Sequence, residues 1–193
     1  GKLKHETVVI GAHYDHLGYG GQGSLAPWTM EIHNGADDNS SGTTGMMEIA
    51  TLLAKTKEKD RRRVVFIAFS AEERGLIGSS YYVNNPLFKL EDTVAMINLD
   101  MIGRLSENKL IVTGTGTSPS WEPFLDELDA NHDFVFTRQP EGTGPSDHQS
   151  FYLKGIPVIN LFTGLHEFYH RPSDDPEIIN YAGIAKIVEY GAD

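Results

Sequence analysis

The sequence predicts one α/β domain built on a mixed or parallel sheet with helices on both faces. Two patterns predict it: short runs rich in Val, Ile and Phe alternate with helix-period stretches, and chemistry-bearing polar residues recur where those runs end. The 193 residues, 39% of them hydrophobic, suffice for one domain with a sizeable core.

In chain order, "TVVIGA" (7–12) reads as a strand, and 41–55 as a helix whose Met46, Met47, Ile49, Ala50, Leu52 and Leu53 recur at helical spacing. The run "VVFIAF" (64–69) is a buried strand that leads almost directly into two adjacent acids, Glu72 and Glu73, and a short helix at 76–84. Strands at 94–99 ("VAMINL") and 109–114 ("KLIVTG") precede a helix at 120–131, then strands at 134–137 ("FVFT") and 156–162 ("IPVINLF"), and a last helix at 176–190. Three long segments, 17–34, 138–148 and 163–175, break the pattern, and long irregular segments in a compact domain are usually binding loops. They are expected to surround one site.

Each strand ends in the same kind of chemistry. The first leads to His13, Tyr14, Asp15 and His16, the second to Glu72 and Glu73, the third to Asp100 and the last to His170, while "NGADDNSSG" sets Asp37 and Asp38 before the first long helix. Ligand sites of open α/β sheets lie at the carboxyl ends of parallel strands, so parallel strands would make these side chains converge. Any one of them alone is an ordinary strand-end residue; the repetition carries the argument. Gathered carboxylates raise one another's pKa unless a cation offsets them. Two Zn2+ would balance Asp38, Glu73, Asp100 and one further glutamate. Mixed imidazole and carboxylate donors suit zinc, with cobalt or manganese as substitutes.

The composition excludes other classes. Acidic residues outnumber basic ones 27 to 16, and the formal charge of −11 repels nucleic acid and anionic membrane surfaces. No run of about 18 apolar residues predicts a membrane span, and no signal-peptide pattern is present. With no cysteine, disulfides, thiolate metal sites and a cysteine nucleophile are excluded. "GYGGQG" (18–23) fits a dinucleotide-binding pattern, but "SLAPWTM" after it is a poor helix opening. Asp37, Asn39, Ser41 and Gly42 with Glu48 approximate a calcium EF-hand loop, a distant alternative over Asp37 to Glu48; that loop needs a helix before it and a loop conformation at its final Glu, and the sequence offers neither.

"GAHYDHLG", "NGADDNSSGTTGMMEIA", "FSAEERGLIGS", "NLDMIG", "SDHQSF" and "FTGLHEFYHRPSDDPEIINYAGIAKI" together resemble the M28 family of zinc aminopeptidases, in the family's order and over nearly the whole chain. The resemblance implies a dinuclear zinc exopeptidase acting on peptide and protein N-termini, on a three-layer α/β sandwich with a mixed, mostly parallel sheet, the phosphorylase/hydrolase-like zinc peptidase fold. By that resemblance His13 and Glu73 bind one zinc, Asp100 and His170 the other, Asp38 bridges both, and Glu72 is the general base acting on a water between the metals. It also implies that Asp15 orients the His13 imidazole, that Tyr169 hydrogen-bonds the scissile carbonyl, and that the Asp38–Asn39 peptide is cis.

Relatives usually carry a further helix and strand before the "VVIGAHYDH" position, so the chain is expected to be a trimmed piece of a longer parent, a single catalytic domain over 1–193. A secreted or periplasmic setting is what the resemblance favours. Two other readings share the motifs: a glutaminyl cyclase or carboxypeptidase-like activity on the same scaffold, and a non-catalytic domain. Scaffold does not separate these, because function lives in the site; the presence of all five ligand positions and Glu72 argues against the last.

Overall fold

The computed structural model describes residues 3–57 and 61–193. Six strands form one mixed sheet in the order β2-β1-β3-β6-β4-β5: β1 Thr7–His13, β2 Arg63–Phe69, β3 Thr93–Leu99, β4 Lys109–Thr113, β5 Val135–Gln139 and β6 Val158–Phe162. The strands β2, β1, β3 and β6 run parallel; β4 pairs antiparallel with β6, and β5 follows β4. All four strand ends singled out by their polar residues therefore point the same way.

Among the described residues the α-helices are α1 Gly42–Lys55, α2 Ile77–Asn84, α3 Trp121–Asp129, α4 His148–Tyr152 and α5 Tyr181–Ala192. Alternation along the strands sends Ile10, Leu99, Ile159 and Leu161 to one face, where they pack with Met46 and Ile49 of α1, Leu125 of α3 and Ile184, Ile187 and Val188 of α5. Val9, Phe69, Met96 and Val158 go to the other face and meet Val83 of α2 and Phe151 of α4. The result is the expected three-layer sandwich.

Local chemistry sets the boundaries. The last helix begins at Tyr181 rather than 176, because Asn180 caps it, its Oδ1 accepting from the Gly183 amide at 2.9 Å; residues Pro176–Ile178 form a separate 3-10 turn. The helix α4 falls in and just past a stretch expected to be irregular, since five residues show no helical period. No described helix is long and apolar enough to cross a membrane.

Candidate metal centre

A tight π-type turn, Ala36–Ser41, carries Asp38 to the carboxyl end of the sheet, and the Asp38–Asn39 peptide is cis, as expected. Its geometry is held from both sides. Buried Asp174 accepts from the Asp37 amide at 3.0 Å and from the Asp38 amide at 3.0 Å. Asn39 donates to the Leu99 carbonyl at 2.9 Å and accepts from the Met101 amide at 3.1 Å, tying the turn to the end of β3. Asp37 faces away from the cluster, accepting from Gly103 N at 2.7 Å, Ser41 Oγ and His166 Nε2. Glu48 is exposed within α1, so the Asp37–Glu48 calcium loop does not exist in the fold. No helix opens at 18–23 either; that segment is turns, and Gly23 instead offers its carbonyl to His170.

The five expected ligands and Glu72 come together. His13 Nε2 lies 3.3 Å from Asp38 Oδ1 and 3.5 Å from Asp100 Oδ1, while His170 Nε2 lies 3.1 Å from Asp38 Oδ2 and 3.2 Å from Glu73 Oε2. Asp38 thus presents one oxygen to each imidazole. The grouping differs from the expected one: His13 sits with Asp100, and His170 with Glu73, because β1 and β3 are adjacent and the Glu73 turn faces the loop that carries His170. In both imidazoles Nδ1 donates to a main-chain carbonyl, His13 to Asp15 O at 3.0 Å and His170 to Gly23 O at 2.8 Å. That fixes the rings with Nε2 toward the carboxylates, as a metal-ligating histidine requires.

Asp15 holds the His13 ring through its main-chain carbonyl, with its carboxylate Oδ1 3.8 Å from the same Nδ1; that carboxylate also accepts from the Glu72 amide at 3.0 Å and the Glu73 amide at 3.4 Å, fixing the turn after β2. The chain leaves β1 at His13, so Asp15 no longer follows strand alternation. Glu72 lies with His13 and Asp100 in one set of donor atoms within 4.8 Å of one another. Tyr169 lines the same pocket, its ring stacked on His170 at 3.8 Å.

His16 was not among the expected site residues. Its Nδ1 lies 2.7 Å from Glu73 Oε1, it forms a second donor set with Asp38 and Glu73, and its buried Nε2 has no hydrogen-bond partner among the described residues. The only signal for it was its place in "HYDH", three residues past the stronger candidate His13. Asn39 and Asp174 were also unforeseen, since their role is to hold main chain.

The electrostatics are those of a site made for cations. Burial disfavours charge on His13, but the Asp100 and Asp38 carboxylates beside it push its pKa up to about 12. Burial likewise opposes charge on His170, which Asp38 and Glu73 raise to about 10. Asp38 and Glu73 are held below their ordinary values, the histidines outweighing burial. Burial, against the pull of His13, pushes Glu72 up to about 9. Asp100 Oδ1, 3.5 Å from His13 Nε2, is buried and has no hydrogen-bond partner among the described residues. Imidazole and carboxylate donors around a shared Asp38, with an unsatisfied carboxylate oxygen among them, fit zinc.

The family model for peptidase family M28 matches residues 1–192. Aminopeptidase YwaD of Bacillus subtilis (strain 168) is 31% identical over 199 aligned residues, covering 92% of this chain and 38% of the relative. The solved structure of BSAP, a zinc aminopeptidase from Bacillus subtilis, matches with a TM-score of 0.77 at 30% identity, covering 100% of this chain and 46% of that one. A glutaminyl cyclase structure from Porphyromonas gingivalis matches with a TM-score of 0.76 at 22% identity over 99% of this chain and 73% of its own, a likeness of fold alone. The chain spans less than half the length of the two Bacillus relatives.

Proposed function

Because the chain belongs to peptidase family M28, we propose that it is the catalytic part of a zinc aminopeptidase that removes residues from peptide N-termini, with His13 and Asp100 as ligands on one side, Glu73 and His170 on the other, and Asp38 shared. The observation that supports this most is the division of the Asp38 oxygens between the two imidazoles, with Glu72 against one of the two sets. Zinc in such a site activates a water and polarises the scissile carbonyl.

The chain's own groups supply the rest. Glu72, set beside His13 and Asp100, takes the proton of the attacking water and returns it to the leaving amine. Tyr169, whose hydroxyl burial and the neighbouring carboxylates keep protonated, donates to the carbonyl oxygen as charge develops there. The carboxylates of the cluster offer a free α-amine its counter-charge, which places the first peptide bond at Glu72. The test is incubation of the zinc-supplemented protein with a free-amine peptide, products identified by mass. Release of the N-terminal amino acid is expected. A pyroglutamyl product or release from the C-terminus would establish the cyclase or carboxypeptidase-like reading instead.

A further inference from the structure

Past the metal donors, the pocket runs along one face of the sheet, and its floor there is polar where a sheet interior is normally apolar. Register sets Asn98 of β3, Asn160 of β6, Thr113 of β4 and Gln139 of β5 side by side across four strands, and paired residues share a face. The row two residues nearer the strand starts is apolar, Met96 beside Val158, so the polar ladder is local. Asn160, Thr113 and Gln139 line the same pocket as His13, Asp100 and Tyr169.

The ladder is only partly satisfied. Asn98 Nδ2 donates to Asn160 Oδ1 at 2.9 Å and to Ser146 Oγ at 2.8 Å. The Asn160 amino group is thereby the end left for the pocket, and Thr113 Oγ1 is buried with no hydrogen-bond partner among the described residues. Unpaired buried polar groups are costly, so such a surface favours an occupant that completes them. Among the described residues no Lys or Arg lines the pocket, and the ladder itself carries no charge. Met101, Phe162 and Leu165 also line the pocket and suit the methylene stem of a side chain.

Resting on the aminopeptidase reading, we infer that this ladder determines specificity for the first residue of the substrate, selecting a neutral hydrogen-bonding side chain, an amide or a hydroxyl, over an aliphatic one of the same size. The peptide's N-terminal side chain must leave the metal centre through this pocket, and the ladder is what it meets.

The test compares asparaginyl with leucyl 4-nitroanilide, close in size and opposite in hydrogen bonding, on the zinc-loaded protein. Asparaginyl should lead in kcat/KM by about tenfold or more, since sites built to pair a polar group discriminate strongly against its apolar analogue. Thr113→Val, which removes only the hydroxyl, should shrink that ratio, and Gln139→Leu at the exposed edge should do the same should the first variant not fold. A leucyl preference in the parent protein, or a ratio unchanged in the folded variants, overturns the inference. Calorimetry with asparagine and leucine hydroxamates separates the two layers of argument: tighter asparagine hydroxamate without any turnover retains the ladder and sinks the aminopeptidase reading, whereas tighter leucine hydroxamate sinks the ladder regardless of turnover.

Discussion

Glu72 and Glu73 are adjacent in sequence and alike in chemistry, yet their carboxylates stand in different company. Glu73 lies between His16 and His170, which hold it ionised against burial, while Glu72 stands apart from them in the donor set of His13 and Asp100. Glu72→Gln should therefore keep the metal and lose activity by the ~10²–10⁴-fold typical of a missing general base, whereas Glu73→Gln should lose metal. Elemental analysis beside turnover decides it; the reverse pattern would exchange the two roles. His16 donates to the Glu73 oxygen that His170 does not face, so His16→Ala should weaken metal binding by the ~10–100-fold characteristic of groups that orient ligands, measured by chelator competition. An unchanged affinity would make His16 a packing residue. The imidazoles predict a further signature. Taken as side chains alone, His13 and His170 are charged at pH 7, with pKa values raised to about 12 and about 10, and a metal must displace those protons to reach Nε2. Zinc loading should accordingly release at least about two protons, read by calorimetry in buffers of different ionisation enthalpy; no release would overturn the ligand assignment of both histidines.

Among the elements, the ends of β1, β2 and β3 and the loop after β6 supply His13, Glu72 and Glu73, Asp100 and His170, and these were the parts legible in the sequence. Apolar runs of five to seven residues ending in acids or imidazoles announce both a buried strand and its business end. Other features were hidden for physical reasons. The reversal of β4 and β5 depends on connection geometry rather than on residue pattern. The grouping of ligands depends on which strands are neighbours, and strand order does not appear in a one-dimensional pattern. The turn at Asp38 is specified by partners remote in sequence, Asp174 and the ends of β3, so its neighbourhood alone reads as a loose acidic loop. Gly42 is where that turn meets α1: a Cβ there would collide with the Leu99 carbonyl and the Asn39 side chain. Gly42→Ala should cost ~1–3 kcal/mol through enforced backbone displacement. Because the displaced atoms hold the Asp38 turn, metal content should fall with it; unfolding with and without chelator should show the metal-dependent part of stability shrinking, and an unaltered chelator response would mean that the turn is held by other contacts.

Across the whole molecule, the acidic excess meets the sheet at one place, where Asp38, Glu72, Glu73 and Asp100 gather about three histidines within a chain of formal charge −11. Protons and cations compete for that place, which links stability to pH. With the metal stripped by chelation, folding raises Glu72 to about 9, His170 to about 10 and His13 to about 12, so the folded chain holds more protons than the unfolded one from neutral into basic pH. The stabilisation from the two histidines is fully present below their ordinary value of 6.5 and is lost as pH rises through the raised values. Asp38 and Glu73 act with the opposite sign: lowered from 3.8 and 4.5, they contribute above those values and lose that contribution as pH falls. The chelated chain should thus be most stable in mildly acidic solution and weaken from about pH 6.5 to 9. Zinc removes that slope, since its affinity grows as the histidines give up their protons. The separation between the melting temperatures of the zinc-loaded and chelated protein should widen steadily between pH 6.5 and 9. A separation that stayed constant or narrowed over that range would mean that the cluster keeps its protons when metal is offered, and would remove the electrostatic case for these residues as its ligands.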